Sequence, residues 1–222
     1  MTDNFEQELR VLQLRFIGKI LAGFTHESKN YLAIIKESAG LMGDMITFGK
    51  SGEEASGQYL EIIHSIEEQI ERATALFKYL NRFSHRMDAQ YSAFDCNELL
   101  EELTALVLRF ANQKRIELVK DFQQDLPQIY SNPSIVHLLV FSFLEDDIMG
   151  LEKNSRIIIR TESAGGSVMI SIITEGRMLD AEREKGEFPF ETCNTVLKNL
   201  SGTITLGEGK VTFTLPMKVP DI

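Results

Sequence analysis

From Leu9 to Ile46, apolar residues return every three or four positions: Leu9, Leu12, Phe16, Ile20, Phe24, Leu32, Ile35, Met42 and Ile46, with Ser28 and Ala39 keeping the register. A second row runs through Tyr59, Ile62, Ile66, Ile70, Ala73, Phe77 and Leu80. Each row predicts a long helix with a narrow apolar seam, the pattern of coiled-coil-like packing. Between them the polar, glycine-rich stretch Gly49–Gly57 lets the chain reverse, so the unit is an antiparallel hairpin. Two helices of about 30–40 residues cannot bury both seams by themselves, and a second copy completing a dimeric four-helix bundle is the economical solution. The alternative is that the seams pack on the C-terminal half.

From about residue 91 the period changes. Asn97–Asn112, Pro133–Leu151 and Phe190–Leu200 carry apolar residues at helical spacing. Ile116–Asp121, Arg156–Glu162, Ser167–Ile173, Gly202–Leu206 and Lys210–Leu215 are rich in Val, Ile and Thr and are separated by turn residues such as Gly165-Gly166 and Gly207-Glu208-Gly209. They predict strands. The fold class is therefore α+β: a helical hairpin over residues 1–90 and a two-layer sandwich over residues 91–222, the boundary falling within Arg86–Ala93.

Composition narrows the function classes. The net charge of −10, from 33 acidic and 23 basic residues, disfavours a nucleic-acid partner, and no run of Lys and Arg offsets it. Cys96 and Cys193 are far apart, without metal-ligand spacing, and are expected to be reduced thiols. The acidic, amphipathic start is not a signal peptide, and no apolar run approaches the roughly 20 residues that span a bilayer. The expectation is a soluble, cytoplasmic protein with no membrane partner, sensing only through other proteins. No set of His, Cys, Asp and Glu has metal-ligand spacing, so the expected metal ligands are none.

The chemistry is concentrated in Phe24-Thr25-His26-Glu27-Ser28-Lys29-Asn30-Tyr31-Leu32-Ala33-Ile34-Ile35. His26 lies two residues from the seam positions Phe24 and Ser28, about 200° around the helix, so its imidazole is expected to face water. Imidazole nitrogen is a nucleophile toward phosphorus near neutral pH. Glu27 can hold the other ring nitrogen or take up a proton. Asn30, one turn on and on the same face, can orient a water or an incoming carboxylate. Lys29 can offset phosphoryl charge or be simply a solvated surface lysine.

This stretch resembles the H-box of the two-component histidine kinases, H-E-x-x-N followed by x-L-x-x-I, matched by His26, Glu27, Asn30, Leu32 and Ile35; Tyr31 stands where proline is frequent. Phe94–Leu103 and Leu126–Pro133 look like the opening of that family's ATP-binding domain and the lead into its central helix. The closing hairpin around Gly207–Gly209 fits as well. The resemblance implies a dimeric helical hairpin followed by a histidine-kinase-type ATPase-like α/β sandwich.

It also implies where the family's Mg-ATP site would lie, and there the sequence departs. The magnesium-holding asparagine corresponds to Asp146. The aspartate and second glycine of D-x-G-x-G correspond to Thr174 and Met178, with Gly176 between them. From Leu179 to Glu191 there is one glycine, Gly186, and Phe188-Pro189-Phe190 leads directly into a helix, leaving no usual glycine-rich lid. Phe188 and Phe190 are expected to plug the old cavity.

The arrangement is similar to the kinase-like phosphorelay phosphotransferases, which implies that His26 carries a phosphoryl group between receiver-domain aspartates. The implied cofactors are none on this chain, with Mg2+ on the partner receiver. The implied partners are a second copy, response-regulator receiver domains and an upstream hybrid kinase. Other readings are a non-catalytic pseudokinase that binds a regulator or kinase, a divergent active kinase, and a phosphatase using Glu27 and Asn30. His64 and His85 are expected on the surface, and His137 on a helix near the former nucleotide pocket.

Overall fold

In a computed structural model, residues 3–49, 52–175 and 190–218 are described. Gly176, Met178, Gly186 and Phe188 lie outside them, as does most of the stretch read as lidless. The two periodic rows form α1 (Asp3–Thr47) and α2 (Glu53–His85). Phe16 meets Phe83 at 5.4 Å between ring centroids and Phe24 meets Phe77 at 4.9 Å, so the two helices run antiparallel.

The sandwich follows in the order β1 (Ser92–Phe94), α3 (Cys96–Lys114), β2 (Glu117–Phe122), β3 (Ile129–Ser131), α4 (Pro133–Gly150), β4 (Arg156–Ala164), β5 (Ser167–Thr174), α5 (Phe190–Asn199), β6 (Thr203–Gly207) and β7 (Lys210–Pro216). The main sheet has the order β2-β4-β5-β7-β6, with β2 parallel to β4 and every other pair antiparallel. The two shortest strands, β1 and β3, pair with each other. They escape the sequence reading because three residues carry no measurable period.

Local chemistry explains the ends of the elements. Asp95 caps α3 by accepting from the Asn97 and Glu98 amides, and Asn132 caps α4 ahead of Pro133 in its first turn. Arg115 closes α3 in the left-handed conformation, at φ 55°. Gly165 and Gly166 take φ of 58° and 79°, which the tight turn between β4 and β5 requires.

Alternate residues of β4, β5 and β7 (Ile157, Ile159, Val168, Ile170, Val211, Phe213) are buried beneath the helices, the pattern of a sheet covered on one face. In α4 apolar residues occur all round because the helix lies between the sheet, α3 and α1.

The hairpin seam divides into two parts. Phe16 and Ile20 join the core of the sandwich, Phe16 lying 4.7 Å from the Phe141 ring of α4. Packing on the C-terminal half therefore accounts for this part of α1. Further along, Leu32 is 64% exposed and Ile46 63%, while on α2 Ile70 is 50% and Phe77 56% exposed.

Beneath the end of the hairpin lies a buried polar cluster. Arg86, the C-cap of α2, donates to both carboxylate oxygens of Glu102 on α3, at 3.2 and 2.9 Å, and Glu102 is fully buried. His137 of α4 is also fully buried, its Nε2 3.1 Å from the Leu99 carbonyl. Burial lowers its pKa from 6.5 to about 3. The Glu102 carboxylate, 4.0 Å away, is engaged by Arg86 and does not hold a proton on the ring.

A histidine kept neutral by the fold takes up a proton only when the chain unfolds. Its stabilising contribution is complete above pH 6.5 and is lost as pH falls from there toward about 3. Unfolding free energy should therefore decline in that window by about 1.4 kcal/mol per pH unit from this one residue. In urea titrations at pH 5.5 and 4.5, His137→Leu should lack that part of the slope. Parallel pH dependence in the two proteins would exclude it.

Candidate functional site

Gly23, His26 and Asn30 stand one above another on α1, spaced three and four residues apart. His26 is exposed, as its offset from the seam predicts. Asn30 Nδ2 lies 3.2 Å from His26 Nδ1 and 3.4 Å from Glu27 Oε2. Asn30, rather than Glu27, therefore stands at the ring nitrogen, and Glu27 reaches the imidazole only through that amide.

With Nδ2 donating, Nδ1 is the acceptor and the ring proton sits on Nε2. Turning the Asn30 amide over presents Oδ1 to an Nδ1–H and gives up the Nδ2 contact with Glu27 Oε2. That tautomer leaves the Nε2 lone pair open to solvent, the form that attacks phosphorus. Among the described residues Nε2 has no hydrogen-bond partner.

Glu27 is half-buried and turns toward Tyr31, whose phenol is pushed above its ordinary range by burial first and then by the Glu27 carboxylate it is hydrogen-bonded to. Lys29 is exposed and makes no ion pair among the described residues. Of the other histidines, His64 is exposed, His85 is exposed and 2.7 Å from Asp88 Oδ2, and His137 is in the core.

Two of the positions that the resemblance assigns to nucleotide binding, Asp146 and Thr174, fall within the described residues. Thr174 is buried at the end of β5, and its hydroxyl donates to the Gly209 carbonyl at 3.3 Å. Asp146 lies on α4 facing Cys193 of α5, whose thiol is raised by burial and then by the Asp146 charge. Beside it, Glu145 is held by Lys19 of α1 at 2.7 Å. On the side of α4 that faces α1, a cavity of about 20 Å³ touches Asp146 and is lined by Leu12, Arg15, Lys19 and Glu145 among others. That is room for about one water. A larger groove of about 490 Å³ lies toward the start of α1, between Glu6, Arg10, Tyr91 and Asn199, away from His26.

Among the described residues no three His, Cys, Asp or Glu side chains come together as a metal site. No helix among them is long and apolar enough to cross a membrane.

One part of the His26 surroundings has no signature in the sequence. The Phe110 ring of α3 lies against Gly23, where an added Cβ would come within 3.1 Å of it. The first helix of the sandwich thus abuts α1 one turn before His26. A glycine inside a helix costs about 1 kcal/mol relative to alanine, but α1 also holds Gly18, Gly40 and Gly43 with open space around them, so the sequence does not single out Gly23.

No family model matches the chain. Among curated proteins it is similar to the signal transduction histidine-protein kinase AtoS of Escherichia coli, 22% identical over 86% of this chain and 31% of that protein. It is also similar to the sensor histidine kinase ZraS of Escherichia coli, 25% identical over 91% of this chain and 46% of the relative. The cell-division control histidine kinase PdhS of Brucella anthropi is 24% identical over 83% of this chain and 18% of its own length. The chain therefore spans less than half the length of each of these three relatives.

Among solved structures, the histidine kinase AdeS of Acinetobacter baumannii superposes with a TM-score of 0.50 at 16% identity, over 86% of this chain and 98% of that one. The histidine kinase ThkA in complex with the response regulator protein TrrA superposes with a TM-score of 0.50 at 19% identity, over 98% of this chain and 67% of that one. The chain is homologous to the histidine-kinase superfamily, with its order of helical hairpin and then catalytic-domain sandwich.

Proposed function

We propose that this protein is a phosphorelay histidine phosphotransferase that takes a phosphoryl group from one receiver-domain aspartate onto His26 and delivers it to another, without using ATP itself. The observation that carries this reading is the exposed His26 with Asn30 at Nδ1 and Nε2 open, on the hairpin of a histidine-kinase-like fold. In the transfer, Nε2 forms the N–P bond as the P–O bond to the aspartate breaks. The electron pair leaves with the receiver's carboxylate, and the Nδ1 proton passes to water. Little else is required of the carrier, since such transfers rest on positioning and charge neutralisation. The Mg2+ belongs to the receiver.

Two features support a source of phosphate other than ATP. Thr174 has turned its hydroxyl to a backbone carbonyl, and Glu145 beside Asp146 is tied to α1. The solved complex of ThkA with a response regulator supports receivers as the partner class. The exposed apolar positions Leu32, Ile46, Ile70 and Phe77 support a homodimeric four-helix bundle. The place of action is the cytoplasm, where receivers are found, and an upstream hybrid kinase is the expected donor.

The test compares two donors. Incubation with radiolabelled Mg-ATP alone should leave the protein unlabelled, whereas a labelled, phosphorylated receiver domain should transfer acid-labile, base-stable label to it. Label from ATP alone makes the protein a kinase. Loss of receiver phosphate without label on the protein makes it a phosphatase, and neither event makes it a binding module.

A further inference from the structure

α3 brings a positive charge to the helix that carries the histidine. Arg109 is half-buried, its Nε is fully enclosed without a hydrogen-bond partner, and among the described residues its guanidinium makes neither a hydrogen bond nor an ion pair. In a chain with ten more acidic than basic residues, an unpaired guanidinium held in place is unusual. It lies over the Phe110 ring, whose centroid is 5.9 Å from Cζ. That ring is the one that lies against Gly23.

The placement follows from helix geometry. Gly23 and His26 are three residues apart, hence neighbours on one face, with Asn30 on the next turn. Arg109 and Asn112 close a small cavity of about 40 Å³ together with Gly23, Glu27 and Tyr31. Through the Phe110 ring, the guanidinium is therefore held beside the turn of α1 that leads into His26. Arginine suits such a place because it stays charged and its planar donors match phosphoryl oxygens.

We propose that Arg109 is a positioning residue for the phosphoryl group on His26, so that the sandwich domain supplies a wall of the phosphoryl site. This rests on the phosphotransferase reading only for its biological use. The contact itself concerns phosphohistidine however it is made. The phosphoryl group brings two negative charges next to Glu27, and Arg109 offsets them from the side opposite the solvent-facing Lys29. A cation without a partner on α3 gains one when the imidazole is phosphorylated.

The test begins with a protein in which the exposed histidines are removed by His64→Gln and His85→Gln. His26 is then phosphorylated chemically with phosphoramidate, and the phosphorus resonance is titrated against pH. Arg109→Gln should raise the phosphoryl titration midpoint by about 0.5 pH unit, the size of one charge interaction at several ångströms near a surface. Arg109→Lys should restore most of the shift. Glu27 and Lys29 are common to all the proteins, so the difference reports Arg109. Arg109→Met, which keeps apolar contact with Phe110, serves as a second uncharged variant if the glutamine protein does not fold.

With a phosphorylated receiver, Arg109→Gln should lower the transfer rate constant about tenfold with little change in the receiver concentration for half-maximal rate. An unchanged midpoint, or a lysine variant indistinguishable from glutamine, overturns the proposal even if receiver transfer proceeds. If no receiver ever phosphorylates the wild type yet the midpoint moves with Arg109, the phosphotransferase reading falls and this inference stands.

Discussion

His26→Gln is expected to reduce phosphoryl acceptance from a receiver to background, a loss of more than about a thousandfold, because it removes the nitrogen that forms the N–P bond. Glutamine keeps the size and polarity of the side chain but has no nucleophilic ring nitrogen. The residue is exposed, and its hydrogen bond is to Asn30 alone among the described residues. Stability should thus change by no more than about 0.5 kcal/mol. Transfer assays paired with thermal unfolding separate lost chemistry from lost fold.

Asn30→Ala should produce a smaller loss. It removes the amide that meets Nδ1 but leaves Nε2 in place. Label persisting on the glutamine variant would locate the acceptor elsewhere. His64 and His85 would then be the exposed candidates.

Arg86→Ala should have the largest effect on stability. It strips the Glu102 carboxylate of both its guanidinium hydrogen bonds while that carboxylate stays fully buried. Removing one partner of a buried ion pair costs about 3–5 kcal/mol, chiefly the penalty of an uncompensated charge. Urea unfolding followed by circular dichroism should show it.

The paired substitution of Arg86→Met with Glu102→Met should recover most of the loss, since it removes both charges and returns apolar volume to the site. If the double variant were as unstable as the single one, the cost would lie in packing rather than in charge. The Arg86 guanidinium also lies 6.0 Å from the Phe94 ring centroid, so methionine is a better probe than alanine for the paired change.

Arg86 ends the hairpin and Glu102 belongs to the first helix of the sandwich, so this pair fastens one to the other. Lys19 with Glu145, and Phe16 with Phe141, fasten it at further points.

The amino-acid order alone determined the two long helices, because a repeat of three and four places an apolar stripe on one face whatever the stripe later meets. It determined the five longer strands through their Val, Ile and Thr and the glycines between them. It also placed His26 on the open side of α1, since an offset of two residues from the seam is a matter of helical angle. The resemblance to the H-box was legible for the same reason: its residues are close in sequence and share one helix.

What the seam packs against was decided only in three dimensions. Phe16 and Ile20 read like Leu32 and Ile46 in the pattern, yet the first pair is in the core and the second is open. An apolar stripe specifies burial but not the surface that provides it. The cluster of Arg86, Glu102 and His137 joins three helices, and the Arg109 side chain approaches the histidine helix from more than 80 positions away along the chain. Local sequence carries no period for such contacts. They exist because the sandwich folds back onto the hairpin and brings charges and rings from separate helices within a few ångströms.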